Sequence, residues 1–173
     1  SVTITAAQIN NASTDNCSIA TYALNVATFA CANLGANTVT LTVTDAAGNT
    51  NSATATVTVV DNIDPVAITQ NITLALDANG DASTTAAAIN DGSTDNCSIA
   101  TYALNVTAFT CANLGANTVT LTVTDGSGNT NSATATVTVQ DNIDPVAITQ
   151  NITANLDANG SVTITAAAVN NAS

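Results

Sequence analysis

Twelve aspartates carry all the side-chain charge of this sequence; Glu, Lys, Arg and His are absent, and the formal net charge is −12. Four cysteines, Cys17, Cys31, Cys97 and Cys111, and two tyrosines complete the titratable side chains. The chemistry open to such a set is narrow. General acid and base work near pH 7 draws on His or on a tuned Glu or Lys, so an enzyme would have to run on Asp, Ser, Thr, Tyr and Cys alone. No nucleophile stands beside a plausible base, and the expectation is that the chain is not an enzyme. Nucleic-acid and phosphate binding are excluded because counterion release needs Lys or Arg. With two Phe, two Tyr and no Trp or Met, the aromatic surfaces that hold most small ligands are scarce as well. What remains is cation binding by carboxylates and the covalent chemistry of thiols. Twelve carboxylates without one basic side chain cannot form a side-chain salt bridge, so divalent cations, calcium first among them, are the expected neutralising partner.

Positioning these groups depends on an internal repeat. Residues 1–80 align without a gap on 81–160 and differ at 15 positions, and residues 161–173 begin a third copy of the opening segment. A period of 80 exceeds a solenoid rung and falls in the size range of a small domain, which implies beads on a string. DNIDP, at 61–65 and 141–145, is the natural junction. Pro fixes its own φ, biases the preceding Asp toward extended backbone, and the Asx residues favour turns, so the segment should be a short, stiff connector. The expected organisation is therefore a repeat lacking its first strands at 1–60, a complete repeat at 61–140, and the N-terminal part of a third at 141–173. A sequence that starts and stops inside a repeat reads as a window from a longer array. The rival arrangement is end-to-end assembly of short subunits, with residues 141–160 of one chain completing 1–60 of the next. Residues 161–173 argue against it, because they duplicate 1–13. No apolar run reaches the roughly 18–20 residues that span a bilayer, and no basic stretch followed by a small-residue cleavage site opens the chain, so no membrane insertion is expected.

Within the complete repeat, NITLALD, TVTLTVTD and SATATVTVQ alternate apolar or β-branched residues with Thr or Ala, the period of a half-buried strand. Turn formers separate them: DANG at 77–80, NDGSTDN at 90–96, CANLGAN at 111–117 and DGSGN at 125–129. About seven short strands in 80 residues, with no capped helical pattern, predict an all-β chain of tandem immunoglobulin-like antiparallel β-sandwiches. In that topology the linker, the NDGSTDN loop and the DGSGN turn share one pole. This gathers Asp61, Asp64, Asp91, Asp95 and Asp125 with Asn129 as a candidate calcium site; Asp91 is the weakest member, being Asn at the matching positions 11 and 171. The cysteines recur at one spacing in both copies. A bond within each repeat, Cys17 to Cys31 and Cys97 to Cys111, is the economical reading for a small-cored repeat without a metal-like CxxC spacing. Reduced thiols and a zinc site are the weaker alternatives, the latter because no His is present. Sequons such as those at Asn71, Asn105 and Asn151 are what a chain rich in Asn, Ser and Thr generates by chance.

The order DNCS, FxC, LGANTVTLTVTDGSGNTNSATATVTVQDNIDP resembles the immunoglobulin-like and hyalin-type (HYR) repeats found in tandem in giant bacterial surface proteins, many of them exported by type IX secretion. The resemblance covers essentially the whole chain. It implies a stalk or adhesin segment without catalysis, at the cell surface, whose partners are neighbouring repeats or copies of itself. Many such repeats carry a second cysteine pair where this chain has Thr69 and Ala133. The expected function is a structural stalk, fibre or filament stabilised by disulfides and calcium. The alternative is an adhesin module recognising a glycan or a partner protein, which an aromatic platform or a loop differing sharply between copies would favour. Neither feature is present.

Overall fold

The computed structural model describes residues 1–170, and the last three positions of the third copy lie outside the described residues. The chain is mostly β. In the first repeat, β1 (Val2–Thr3) pairs antiparallel with β3 (Thr28–Phe29), the four-residue helix α1 (Ala6–Ile9) follows β1, and β2 (Ile19–Leu24), β4 (Gly35–Asp45) and β5 (Thr50–Val59) form an antiparallel sheet in the order β2-β4-β5. The second repeat contains β6 (Ile72–Ala75), β7 (Asp81–Ser83), α2 (Ala86–Ile89), β8 (Ile99–Leu104), β9 (Ala108–Thr110), β10 (Gly115–Asp125) and β11 (Thr130–Gln140). Its main sheet has the order β6-β11-β10-β8, with β6 parallel to β11, while β7 pairs antiparallel with β9.

The alternation in GANTVTLTVTD puts Val119, Leu121 and Val123 on one face of β10, and that in TNSATATVTVQ puts Ala135, Val137 and Val139 on one face of β11. These six residues, with Leu76, Ile89 from α2 and Phe109 from β9, form the buried cluster of the second repeat, while Phe29, Val39 and Leu41 are the buried apolar residues of the first. Phe109 comes from the β7–β9 ladder and the valines from the four-stranded sheet, so both sheets contribute to this core, and the Thr side chains alternate on the wetter face.

The turns fall at the breaker segments. DGSGN joins β10 to β11, with the Asp125 amide bonded to the Asn129 carbonyl at 3.0 Å and Gly128 at φ 94°. DANG joins β6 to β7; Gly80, at φ 82°, also brings its Cα so close to Cys111 that an added Cβ would sit 2.7 Å from the sulfur. The short helices were not expected. α1, α2 and α3 (Ala166–Val169) arise where small, helix-favouring alanines follow a Thr, whose hydroxyl in α2 accepts the Ala88 amide at 3.3 Å; four residues are too few to show helical periodicity in a sequence.

Candidate metal centre and the covalent junction

Strand direction sorts each repeat into two ends. β10 runs from the turn holding Cys111 to Asp125, and its eleven residues span about 35 Å of extended chain. Asp125, the loop before β8 and the linker meet at one end; Cys111 and the DANG turn meet at the other, where the Cys111 sulfur lies 3.8 Å from the Gly80 carbonyl. Cys97 precedes β8 and so belongs to the first end.

This corrects the expected disulfides. Cys17 does not bond Cys31, and Cys97 does not bond Cys111, because each such pair sits at opposite ends of its own repeat, far beyond the roughly 7 Å between Cα atoms that a disulfide can bridge. The structure instead joins Cys31 to Cys97 with Cα atoms 5.4 Å apart, across 66 residues of sequence, and leaves Cys17 and Cys111 as exposed thiols. The bond therefore ties the far end of one repeat to the near end of the next. Closing a loop of that length stabilises by about 4 kcal/mol in the chain-entropy account.

Beside this bond, Asp61, Asp95 and Asp125 converge, with one carboxylate oxygen of each lying within 4.8 Å of the others. Each carboxylate is held by its own loop. Asp95 Oδ2 accepts the amides of Cys97 (2.8 Å) and Ser98 (2.9 Å), which turns the chain into β8. Asp125 Oδ1 accepts the amides of Ser127 and Asn129, and its Oδ2 accepts the Asn129 side-chain amide at 2.7 Å. Asp61 Oδ1 accepts the Ile63 amide, and both its oxygens lie 3.2–3.3 Å from the Asn96 side-chain nitrogen. Asp95 Oδ1 is buried with no hydrogen-bond partner. An anionic oxygen shut away from water, unpaired and facing two further carboxylates is costly unless a cation completes it.

Asp125 is 3 % exposed. Burial works to raise its pKa, but the hydrogen bonds from the Asn129 side chain and backbone and from the Ser127 and Gly128 amides outweigh it, so the carboxyl titrates below its usual value. Asp45, its counterpart in the first repeat, is likewise lowered, first by the Asn49 side chain and then by the Asn49 amide. Both groups are thus kept ionised through the range in which a metal would compete with protons.

Of the six residues expected at this site, Asp61, Asp95 and Asp125 come together. Asn129 serves as a strut, since its side-chain nitrogen also donates to the Asp61 carbonyl at 3.1 Å. Asp64 and Asp91 are exposed and stand outside the three-carboxylate group; Asp91 instead gives its amide to the Ile68 carbonyl, so its backbone serves the fold. Two contributors escaped the sequence reading. Asn96 braces Asp61, and the Asn131 side chain donates to the Pro65 carbonyl at 2.9 Å. The signal for Asn131 was the linker itself: a carbonyl packed against a sheet edge needs a donor, and Asn131 lies on the strand next to it.

An all-oxygen set of carboxylates suits a hard divalent cation and not zinc or copper. No protein-family model matches the chain, and a search of curated proteins finds no relative. Among the described residues no helix is long and apolar enough to cross a membrane. The disulfide is of the kind that persists in an oxidising compartment.

Proposed function

We propose that the chain is a structural protein: a tandem array of immunoglobulin-like sandwiches, of the hyalin-repeat kind, forming an extracellular stalk or fibre on a bacterial surface. The observation that carries this reading is the Cys31–Cys97 bond, which joins successive repeats end to end. A bond placed there closes a loop that runs through both repeats, which restricts the unfolded chain and stiffens the joint between them. Calcium is the cation that fits the reading best: it takes oxygen ligands in flexible geometry, and Asp61, Asp95 and Asp125 supply three carboxylates from linker, loop and turn, with further oxygens from carbonyls or water. Asp61 belongs to the linker and Asp95 and Asp125 to the repeat, so a bound ion would fix the linker to the body. The groups gathered at the junction are acceptors already held by amides, and no catalytic step is assigned to them.

Small-angle scattering of the oxidised chain with calcium, and again with excess chelator and reductant, tests this. The expected result is a rod-like particle with calcium and a more flexible one without. Identical scattering profiles in the two conditions, together with no heat of calcium binding by calorimetry, would refute it.

A further inference from the structure

The disulfide and two of the three converging carboxylates lie on one short circuit. Asp95, Asn96, Cys97 and Ser98 form a single turn, in which Asp95 Oδ2 accepts the amides of Cys97 (2.8 Å) and Ser98 (2.9 Å). The position of Cys97 therefore sets the direction of the Asp95 carboxylate. Asn96, between them, points its side-chain nitrogen at both oxygens of Asp61 (3.2 and 3.3 Å) and at the Cys97 sulfur (3.5 Å), while its carbonyl lies 3.5 Å from the Cys31 sulfur. The rest of the circuit comes from the first repeat. Cys31 opens the helical turn Cys31–Asn33, which leads into β4, and Gly35 at the start of β4 pairs with Val59, just before Asp61. From Cys31 the path runs to Gly35, across the ladder to Val59, along to Asp61, over the Asn96 side chain and through Cys97 back to the bond. The disulfide is distant in sequence, but its shortest closure passes through Asp61 and the turn that aims Asp95.

Charge sets two opposed states on this circuit. One oxygen of each of Asp61, Asp95 and Asp125 lies within 4.8 Å of the others, the chain has no basic side chain to offset them, and Asp95 Oδ1 is buried with no hydrogen-bond partner. Like charges so placed push the linker away from the loop, and the Cys31–Cys97 bond opposes that push. Reduction removes the restraint. Asp61 then keeps its hydrogen bonds from the Asn96 and Asn129 side chains, and the carboxylates are free to separate. A divalent ion reverses the sign of the interaction and draws linker and loop together.

We infer that this junction is a redox-regulated cation site: the oxidised chain binds the divalent cation tightly, the reduced chain binds it weakly, and the bound cation protects the disulfide from reduction. The inference deepens the structural reading above and rests on its assignment of a cation to Asp61, Asp95 and Asp125. Linkage makes the two effects one quantity, because the factor by which oxidation raises cation affinity equals the factor by which the cation disfavours reduction. Reduction proceeds by thiol exchange. A dithiol gives up two electrons and two protons, the Cys31–Cys97 bond breaks into two thiols, and the dithiol closes into its own cyclic disulfide. An oxidising, cation-rich medium locks the joint, and a reducing, cation-poor one releases it.

The test uses the full 173-residue chain with Cys17→Ser and Cys111→Ser, so that one disulfide carries the whole redox signal. Calorimetric titration with calcium chloride, at matched ionic strength, compares the oxidised chain with the chain held reduced by dithiothreitol. In parallel, the oxidised fraction across a series of dithiothreitol redox buffers is read by thiol alkylation and intact mass, once with calcium and once with chelator. The affinity should be about tenfold higher in the oxidised chain, and the reduction equilibrium should shift by the same factor. Asp95→Asn keeps an oxygen for the Cys97 and Ser98 amides, so the disulfide still forms, but calcium should no longer shift its reduction. Where circular dichroism shows that reduction unfolds the first repeat, Asn96→Ala in the oxidised chain decides: it cuts the contact with Asp61 without opening the bond, and should lower calcium affinity about fivefold. Equal calcium affinity in the two redox states overturns the inference and leaves the calcium reading in place. Calcium protection that persists in Asp95→Asn overturns it too, as does an unchanged affinity in Asn96→Ala. Absence of calcium binding in both redox states removes the calcium reading and the inference with it.

Discussion

Residues 35–45 and 115–125 have the same sequence, as do 50–59 and 130–139, and each pair forms the same hairpin in the same register. Their burial differs. Val123, Val137 and Val139 are buried in the second repeat, whereas Val43, Val57 and Val59 are only half-buried in the first; Asp125 is buried and Asp45 half-buried. The difference traces to one short segment, 61–76, which lies along β11 and the loop before β8 in the second repeat and has no counterpart against β5 among the described residues. A hairpin of this composition forms from its own alternation and turn chemistry, but its core is finished by a neighbour. Burial is thus distributed unevenly between two copies of nearly one sequence.

The strongest way to sharpen that contrast is the inter-repeat bond. Cys31→Ser with Cys97→Ser should lower the stability of the first repeat by about 4 kcal/mol, the loop-closure contribution of a 66-residue separation. Denaturant unfolding should then show the first repeat melting well before the second; transitions that remain superimposed would mean that the bond does not support the weaker repeat.

A smaller effect is expected from paired core truncations. Val137→Ala, at a fully buried site, should cost about 2 kcal/mol and Val57→Ala less than half of that, because the half-exposed site already leaves part of its surface in water. Equal costs from equilibrium unfolding would show that the two cores are equally closed in solution.

Acid should divide the copies next. Asp125 and Asp45 both have lowered pKa values in the folded chain. A carboxyl lowered on folding contributes stability that is present above its unfolded pKa, about 3.9, and that is lost as pH falls from there through the lower folded value. In metal-free buffer the stability should therefore hold down to about pH 4 and fall below it. Asp125→Asn should flatten the decline of the second repeat and leave that of the first, with Asp45→Asn doing the reverse; thermal melts between pH 2 and 6 measure this. A decline unchanged in both variants would assign the acid sensitivity to other carboxylates.

The least effect should come from the hydroxyl pairs exposed in both copies, Thr42 with Ser52 at 2.9 Å and Thr122 with Ser132 at 3.0 Å. Thr42→Val and Thr122→Val should each shift stability by less than about 0.5 kcal/mol, and equally, since neither pair touches the segment that distinguishes the repeats. A clear inequality in chemical unfolding would show that the asymmetry reaches the solvent face.

Alternation of Val and Leu with Thr, and the placement of DANG and DGSGN, made the hairpins and turns legible in the sequence, because strand period and turn chemistry are local properties of a few residues. The four-residue helices were not legible, because little more than one turn shows no repeat of the helical period. The convergence of Asp61, Asp95 and Asp125 could be anticipated from a shared pole, whereas Asp64 and Asp91 could not be separated from them, since facing the site or facing water depends on side-chain direction in irregular loops. The disulfide misled for a related reason: a short spacing between cysteines invites a local bond, and only the direction of β8 and β10 shows that the spacing carries the chain from one end of the repeat to the other.

DNIDPVAITQNIT marks the limit most clearly, since it occurs twice without a change. At 61–73 it enters β6 beside β11 and buries Pro65; at 141–153 it contains no strand and leaves Pro145 exposed. The sequence alone determined the repeat, the absence of basic side chains and the strand-forming alternation. Tertiary structure decided which valines are core and which cysteines bond. An edge strand takes its hydrogen bonds and its dry surface from a neighbour, and no property of its own residues can supply them.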